Sequence, residues 1–311
     1  MAQYIVKRVG LIFFTIFIIL SLTYILMKKI PRYPPLDPNM DPETYAIIES
    51  KYGYNKPVME QYFLWLKGIV TEWNWGISTE YQIGANTFDI LLVKLPATIK
   101  VNFVSFLISM PLGFALGILV ALRKNKPIDH IVMILVIVFI SVPGFVVSTL
   151  LMLSADKIGL PTQFAAKDML TWKHYIIPVA ALSFGPIAGL TRYTRAELSE
   201  ILTSDFLLLA RTKGLNKVQS TIRHALRNAM VPLMPIVVGN FVGILSGSLV
   251  IESIYGIPGV GEIFKKSLDI KDYNLTMTIL AFYTIIGLVT TLVVDLSYGI
   301  IDPRIRMGAK K

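Results

Sequence analysis

The ionisable and nucleophilic side chains of this 311-residue chain are not spaced for catalysis. Its three histidines, His130, His174 and His224, lack the short spacings that bring imidazoles onto one metal ion. There is no cysteine, which excludes thiol chemistry, disulfides and thiolate metal sites. The pattern G-x-x-x-x-G-K-[ST], whose amides and lysine cradle nucleotide phosphates, does not occur, so the chain is not expected to hydrolyse ATP. Leu245-Ser246-Gly247-Ser248 shares letters with an ATPase signature but lies in apolar surroundings. Carboxylates and histidines also avoid the middle of the apolar runs, where an ion-coupled secondary transporter needs a titratable group. Asp295 comes nearest, one turn from a boundary and close in sequence to Arg304 and Arg306, so a salt bridge is expected there. Glu252 marks the outer end of another run. No catalytic residue, metal ligand or bound cofactor is expected.

The residues that do stand out form a polar interruption, Thr191 to about Asn228. It carries seven Arg/Lys against three acids. Such a basic excess between apolar runs marks a cytoplasmic loop. Asp205 precedes a helix-favouring run from Phe206 to Lys213 that stops at Gly214, and a second run, Val218 to Met230, ends before Pro232. Two short amphipathic helices joined at a glycine suggest either a docking surface for a cytoplasmic partner or basic helices lying on anionic lipid.

The elements that must position this loop are apolar. The composition is 54% hydrophobic and 16% charged, and the mean hydropathy of +0.62 is too high for an ordinary soluble globule. Six spans are expected, over Val9–Met27, Ile99–Leu122, Ile131–Ser154 (interrupted at Pro143-Gly144), Ile176–Leu190, Val231–Ile251 and Thr276–Tyr298. The fourth is short and is expected to borrow Trp172 to Tyr175 outside and Thr191 to Thr194 inside. On this topology the inner segments hold sixteen Lys/Arg and five Asp/Glu, the outer ones thirteen and fourteen. The net charge of +10 is therefore an inside surplus rather than a nucleic-acid footprint, and both termini are expected in the cytoplasm. Residues 1–98 read as the first span plus an external cap, and 99–311 as a five-helix core. In the cap, Asp41-Pro42-Glu43 predicts a helix to about Tyr52, and Pro57 opens another with Val58, Tyr62, Trp65, Leu66 and Ile69 on one face. Trp73, Trp75, Tyr81 and Phe88 are expected mainly as its miniature core.

Within the fifth run, Gly239, Gly243 and Gly247 recur every fourth position, flanked by Ser246 and Ser248. On one continuous helix they would form a smooth face for close helix approach, within this chain or across a translocation path.

The polar stretch resembles the coupling loop of binding-protein-dependent ABC importers, E-A-A, three residues, Gly, nine residues, I-x-L-P. The first triplet falls on Leu208, Leu209 and Ala210, the glycine on Gly214, and the last four positions on His224, Ala225, Leu226 and Arg227. Only Ala210, Gly214 and Leu226 fit the general pattern. The departures follow the form of oligopeptide, dipeptide and nickel permeases, ARTKGL…HALRNAMVP. YGIPGVG at 255–261 and YGIIDPRIR at 298–306 are also similar to that family's.

The resemblance implies an all-α, six-span membrane protein with the type I ABC permease fold, a multi-pass subunit of the cell membrane. It implies an importer of oligopeptides or dipeptides, with nickel as the alternative cargo. Implied partners are a second homologous permease, two cytoplasmic ATP-binding subunits that use ATP and Mg, an extracellular solute-binding protein and the peptide. Contact with the ATPase is expected from Asp205, Phe206, Leu209, Ala210, Lys213, Gly214, Leu215, His224, Leu226, Arg227 and Asn228. Gly239, Gly243, Ser246 and Gly247 are candidates for helix packing or for the pathway.

Overall fold

The computed structural model describes residues 2–29, 41–52, 55–164 and 171–301. Arg304, Arg306 and the YGIIDPRIR motif from Asp302 onward lie outside them. Among the described residues the regular structure is helical, joined by turns and loops, with one isolated bridge, Ile77 to Asn86. In chain order the helices are α1 (Ala2–Lys28), α2 (Pro42–Tyr52), α3 (Val58–Glu72), α4 (Thr87–Leu122), α5 (Pro127–Ser141), α6 (Gly144–Lys157), α7 (Lys173–Ile201), α8 (Asp205–Thr212), α9 (Lys217–Ser220), α10 (Arg227–Gly243), α11 (Leu249–Tyr255), α12 (Val260–Asp269) and α13 (Tyr273–Ile301). A π-helical segment, Thr221–Leu226, joins α9 to α10 without a break. Five stretches are long and apolar enough to cross a bilayer, or six when α5 and α6 count as one bent span.

Several helices overrun the apolar runs that predicted them. The second span starts at Thr87 instead of Ile99, because the Asn86 side chain caps it by accepting from Phe88 N–H at 2.9 Å. The fourth extends to Ile201, so the first part of the polar interruption is helix continuing below the apolar run. The expected second loop helix, Val218 to Met230, is not separate. Helix runs from Lys217 through Pro232 and Pro235 to Gly243. That helix then stops, which overturns the expected fifth span to Ile251. Where a third span is expected lie two helices, α5 and α6, bent by 105° at Val142-Pro143, where proline supplies no N–H and Val142 is held extended.

The core is a parallel pair, α4 and α7. Ser105 Oγ lies 2.9 Å from Ser183 Oγ, Thr191 Oγ1 donates to Gly113 O at 3.3 Å, and Gly117 packs on Thr194, so the register advances together along both helices. The bent α5–α6 pair runs back along α7. Asp129 pairs with Arg195, the Phe139 and Phe184 rings stack at 4.5 Å, and Ala155 packs with Ile177 and Val179. Helices α1 and α13 are antiparallel, with Leu20 against Ala281, Tyr24 with Met277, and an Arg8–Asp295 ion pair at 3.0 Å. Asp295 therefore does form a salt bridge, with the first helix.

At the far end, α3 packs on α1 through Tyr24, Tyr62 and Trp65. Trp75 is buried against Phe88 and Trp73, while Trp73 itself is exposed. Asp272, fully buried before α13, ties down the loop between α3 and α4. Its Oδ2 accepts from Ser78 Oγ at 2.5 Å and from the N–H groups of Thr79, Glu80 and Tyr81 at 3.1 Å.

Candidate functional site: a helical knuckle and a mid-bundle cavity

The knuckle begins where α7 ends. Helix α8 is only eight residues long, too short to be stable alone, so tertiary packing must hold it. Leu207 does this. It is fully buried in a cluster with Ala121 of α4, Leu198 of α7, and Ala225 and Ala229 at the start of the fifth span. Burying one leucine contributes about 1.5–3 kcal/mol.

With Leu207 turned inward, Phe206, Leu208 and Leu209 point outward, 41%, 61% and 56% exposed. Val218 and Ile222 across the turn are exposed as well. Gly214 closes α8 at φ +96°, a conformation that L side chains rarely adopt. Its N–H donates to Arg211 O, and Leu215 N–H reaches back to Ala210 O at 3.4 Å, closing the helix end as a Schellman-type stop does. Asn216 and Gln219 then cap α9 reciprocally, and Arg211 Nε reaches Ser220 Oγ at 3.2 Å. Close by, Arg195 grips the buried Asp129 through Nε and a terminal nitrogen at 2.5 and 2.7 Å, and Asn125 N–H adds a third bond at 2.9 Å.

The expected contact residues divide by exposure. Asp205, Phe206, Leu209, Lys213, Gly214, Arg227 and Asn228 are exposed, whereas Ala210, Leu215, His224 and Leu226 are half-buried. Leu226 packs in the Leu207 cluster, and His224 O accepts from Asn228 Nδ2. The expected contact set did not include Leu207, which is buried, or the exposed Leu208, Val218 and Ile222. The run Leu207-Leu208-Leu209 offers no residue-type signal for which leucine faces in. The surface is apolar at its centre and rimmed by Lys213, Lys217 and Arg223, which suits a protein partner better than an aqueous small molecule.

The small-residue stripe is not continuous. The helix ends at Gly243, and Ser246 and Gly247 fall in the turn that follows. Gly247 sits at φ +61°, packed on Glu252 and Thr98. Gly239 approaches α13, with Val294 3.3 Å from where its Cβ would lie, whereas a Cβ on Gly243 would meet nothing within 4 Å. Gly239 and Gly243 instead line a cavity of about 440 Å³ between α4, α7 and α10.

Glu252 on α11 is almost fully buried, with Oε2 accepting from Gly261 N–H at 2.7 Å, while Thr98 Oγ1 accepts from Val260 N–H at 2.8 Å. Together they cap α12, whose own N-cap, Gly259, has no side chain to do so. Burial raises the Glu252 carboxyl above its ordinary value, a rise opposed by hydrogen bonds from Gly261 N–H and the Thr98 hydroxyl. Among the described residues no group of three or more His, Asp or Glu is placed to hold a metal ion.

Comparison with known proteins gives a consistent result. The family model described as "Binding-protein-dependent transport system inner membrane component" matches residues 113–307, and its N-terminal companion matches 1–102. The chain is 36% identical to the dipeptide transport system permease protein DppB of Lactococcus lactis subsp. cremoris, covering 99% of this chain and all of that one. It is 33% identical to the oligopeptide transport system permease protein OppB of Escherichia coli K12, covering 98% and 100%. Among solved structures, the inward-facing MetNI methionine ABC transporter matches 68% of this chain and 97% of its own, at a TM-score of 0.53 and 15% identity. That likeness concerns the fold.

Proposed function

The chain belongs to the binding-protein-dependent permease subunits of the oligopeptide and dipeptide ABC importers, and from that premise we propose that it carries peptides inward, driven through the knuckle at α8. The observation that carries the mechanism is the split among three consecutive leucines. Leu208 and Leu209 face out for a cytoplasmic ATPase, while Leu207 is packed against three spans at once. A push on α8 is therefore delivered to α4, α7 and the base of α10 together, because a close-packed core transmits displacement. Closure of two ATP-binding subunits would tilt these helices and open the path to an external solute-binding protein; hydrolysis would return it inward.

A second homologous permease would complete the pathway, and residues 1–98 would form the first span and the external cap. Two observations support six crossings with both termini cytoplasmic. The parallel α4 and α7 need α5–α6 to return the chain across the membrane, and the basic surplus lies on the side of α8. Cysteines at Thr44 and Lys266 should react with an impermeant thiol reagent in intact cells, and those at Asn125 and Gln219 only after permeabilisation. Labelling of Gln219→Cys from outside would overturn the topology.

The test of function is purification with co-purifying subunits, followed by ATPase and uptake assays. Stimulation by dipeptides or oligopeptides is expected; stimulation by nickel alone would displace the peptide reading.

A further inference from the structure

The α4–α7–α10 cavity is polar where packing alone would make it apolar. It lies near the middle of α4 and α7, and Asn102, Ser105, Ser109 and Asn240 contribute to its wall. Uncharged polar groups at such depth are costly unless they are satisfied or face a wet passage. The serines are satisfied: Ser105 pairs with Ser183, and Ser109 bonds Phe106 O at 3.4 Å. The asparagines are satisfied on one side only. Asn102 Nδ2 donates to Thr98 O and Asn240 Nδ2 to Ile236 O, both at 2.8 Å. Because a carbonyl accepts only from the NH₂ group, these bonds fix which end of each amide is nitrogen. Each amide oxygen is left over, and among the described residues nothing donates to either.

A second feature acts in the same direction. Helix α10 ends at Gly243, and its last two turns, with Ile236, Gly239, Asn240 and Gly243, line this cavity. The carboxyl end of a helix carries partial negative charge. No charged side chain lines the wall. The volume is in the range that encloses small ligands, and Gly243 leaves room there, since no atom lies within 4 Å of where its Cβ would be.

We propose that this cavity is a station on the cargo path where the amide oxygens of Asn102 and Asn240 accept hydrogen bonds from main-chain N–H groups of a peptide, including its terminal ammonium. Main-chain donors are common to every peptide, so such a station reads the backbone and leaves side chains unread. The inference rests on the peptide-import reading above, and the test separates the two.

The assembled complex is reconstituted in vesicles and supplied with tri-alanine and its solute-binding protein. Asn102→Leu and Asn240→Leu remove the acceptors at similar volume. Each is expected to lower tri-alanine uptake tenfold or more, with complex yield and peptide-free ATP hydrolysis at parental levels. Uptake within twofold of the parent in both variants overturns the station. Absence of tri-alanine uptake by the parent complex would instead overturn the import reading.

Should either leucine variant fail to assemble, cysteine at the same position gives a second measurement in a chain with none of its own. Labelling of Asn102→Cys or Asn240→Cys by a small methanethiosulfonate should be slowed by tri-alanine in the presence of ATP. Labelling indifferent to the peptide at both positions overturns the proposal.

Discussion

Gly117 of α4 lies so close to Thr194 of α7 that a Cβ on the glycine would stand 2.5 Å from the threonine Cβ and 3.0 Å from Thr191 O. One of the atoms it would meet is backbone, so the pair cannot yield by a rotamer change. Four residues earlier, Gly113 meets Leu190 in the same way, with 2.9 Å to its Cβ. This seam holds the parallel core together, and through Leu198 and Leu207 it is continuous with the knuckle.

Gly117→Ala should therefore destabilise the subunit by about 1–3 kcal/mol, the usual cost of overpacking. Gly243→Ala should be nearly neutral, because its methyl group enters open space. Thermal unfolding of the two variants in detergent, monitored by loss of the folded peak on size exclusion, checks the difference. Equal melting temperatures would show that the α4–α7 contact is not tight.

The knuckle separates anchoring from docking. Leu207→Asp places a carboxylate among Ala121, Leu198 and Ala225 with no partner, and should lower the yield of folded subunit. Leu208→Asp and Leu209→Asp alter only the exposed side. They should leave membrane insertion and recovery of the partner permease unchanged while reducing recovery of the ATPase or peptide-stimulated hydrolysis at least several-fold. Gly214→Arg should behave like the exposed pair, with an added strain of about 1–3 kcal/mol from its positive φ. Wild-type ATPase recovery and uptake in all of the exposed variants would remove α8 as the coupling element.

Glu252 predicts a pH dependence of stability. Its carboxyl is raised above the ordinary value of 4.5, chiefly by burial, so the folded state binds this proton more tightly than the unfolded chain does. Stability linked to it is then greatest below the unfolded pKa and declines as pH rises through the folded one. Tyr283 of α13 is its titratable neighbour and Thr98 of α4 its polar one. Glu252→Gln removes the titration while keeping an acceptor for Gly261 N–H. As pH rises above the ordinary carboxyl value of 4.5, the parent should lose melting temperature relative to this variant. Parallel curves would show that Glu252 titrates alike in both states.

The residue types and their order determined a good deal of this protein. Long apolar runs and a basic surplus on one set of loops specify a multi-span membrane chain, since uncharged helices are what a bilayer admits and cytoplasmic loops retain Lys and Arg. Asp41 caps α2, Pro57 with its fixed φ opens α3, and Gly214 ends α8 because only glycine takes its φ without strain. The tertiary structure decided the rest. Apolarity reports where a helix meets lipid and not where it ends, so α4 begins at Thr87 and α7 continues to Ile201. Glycine spacing shows which face of a helix is smooth but not whether another helix lies opposite. The close seam accordingly formed at Gly113 and Gly117, whereas Gly243 opened onto a cavity. Leu207, Leu208 and Leu209 are identical in type, and only the cluster formed by Ala121, Leu198, Ala225 and Ala229, far apart in the chain, selects which of them is buried.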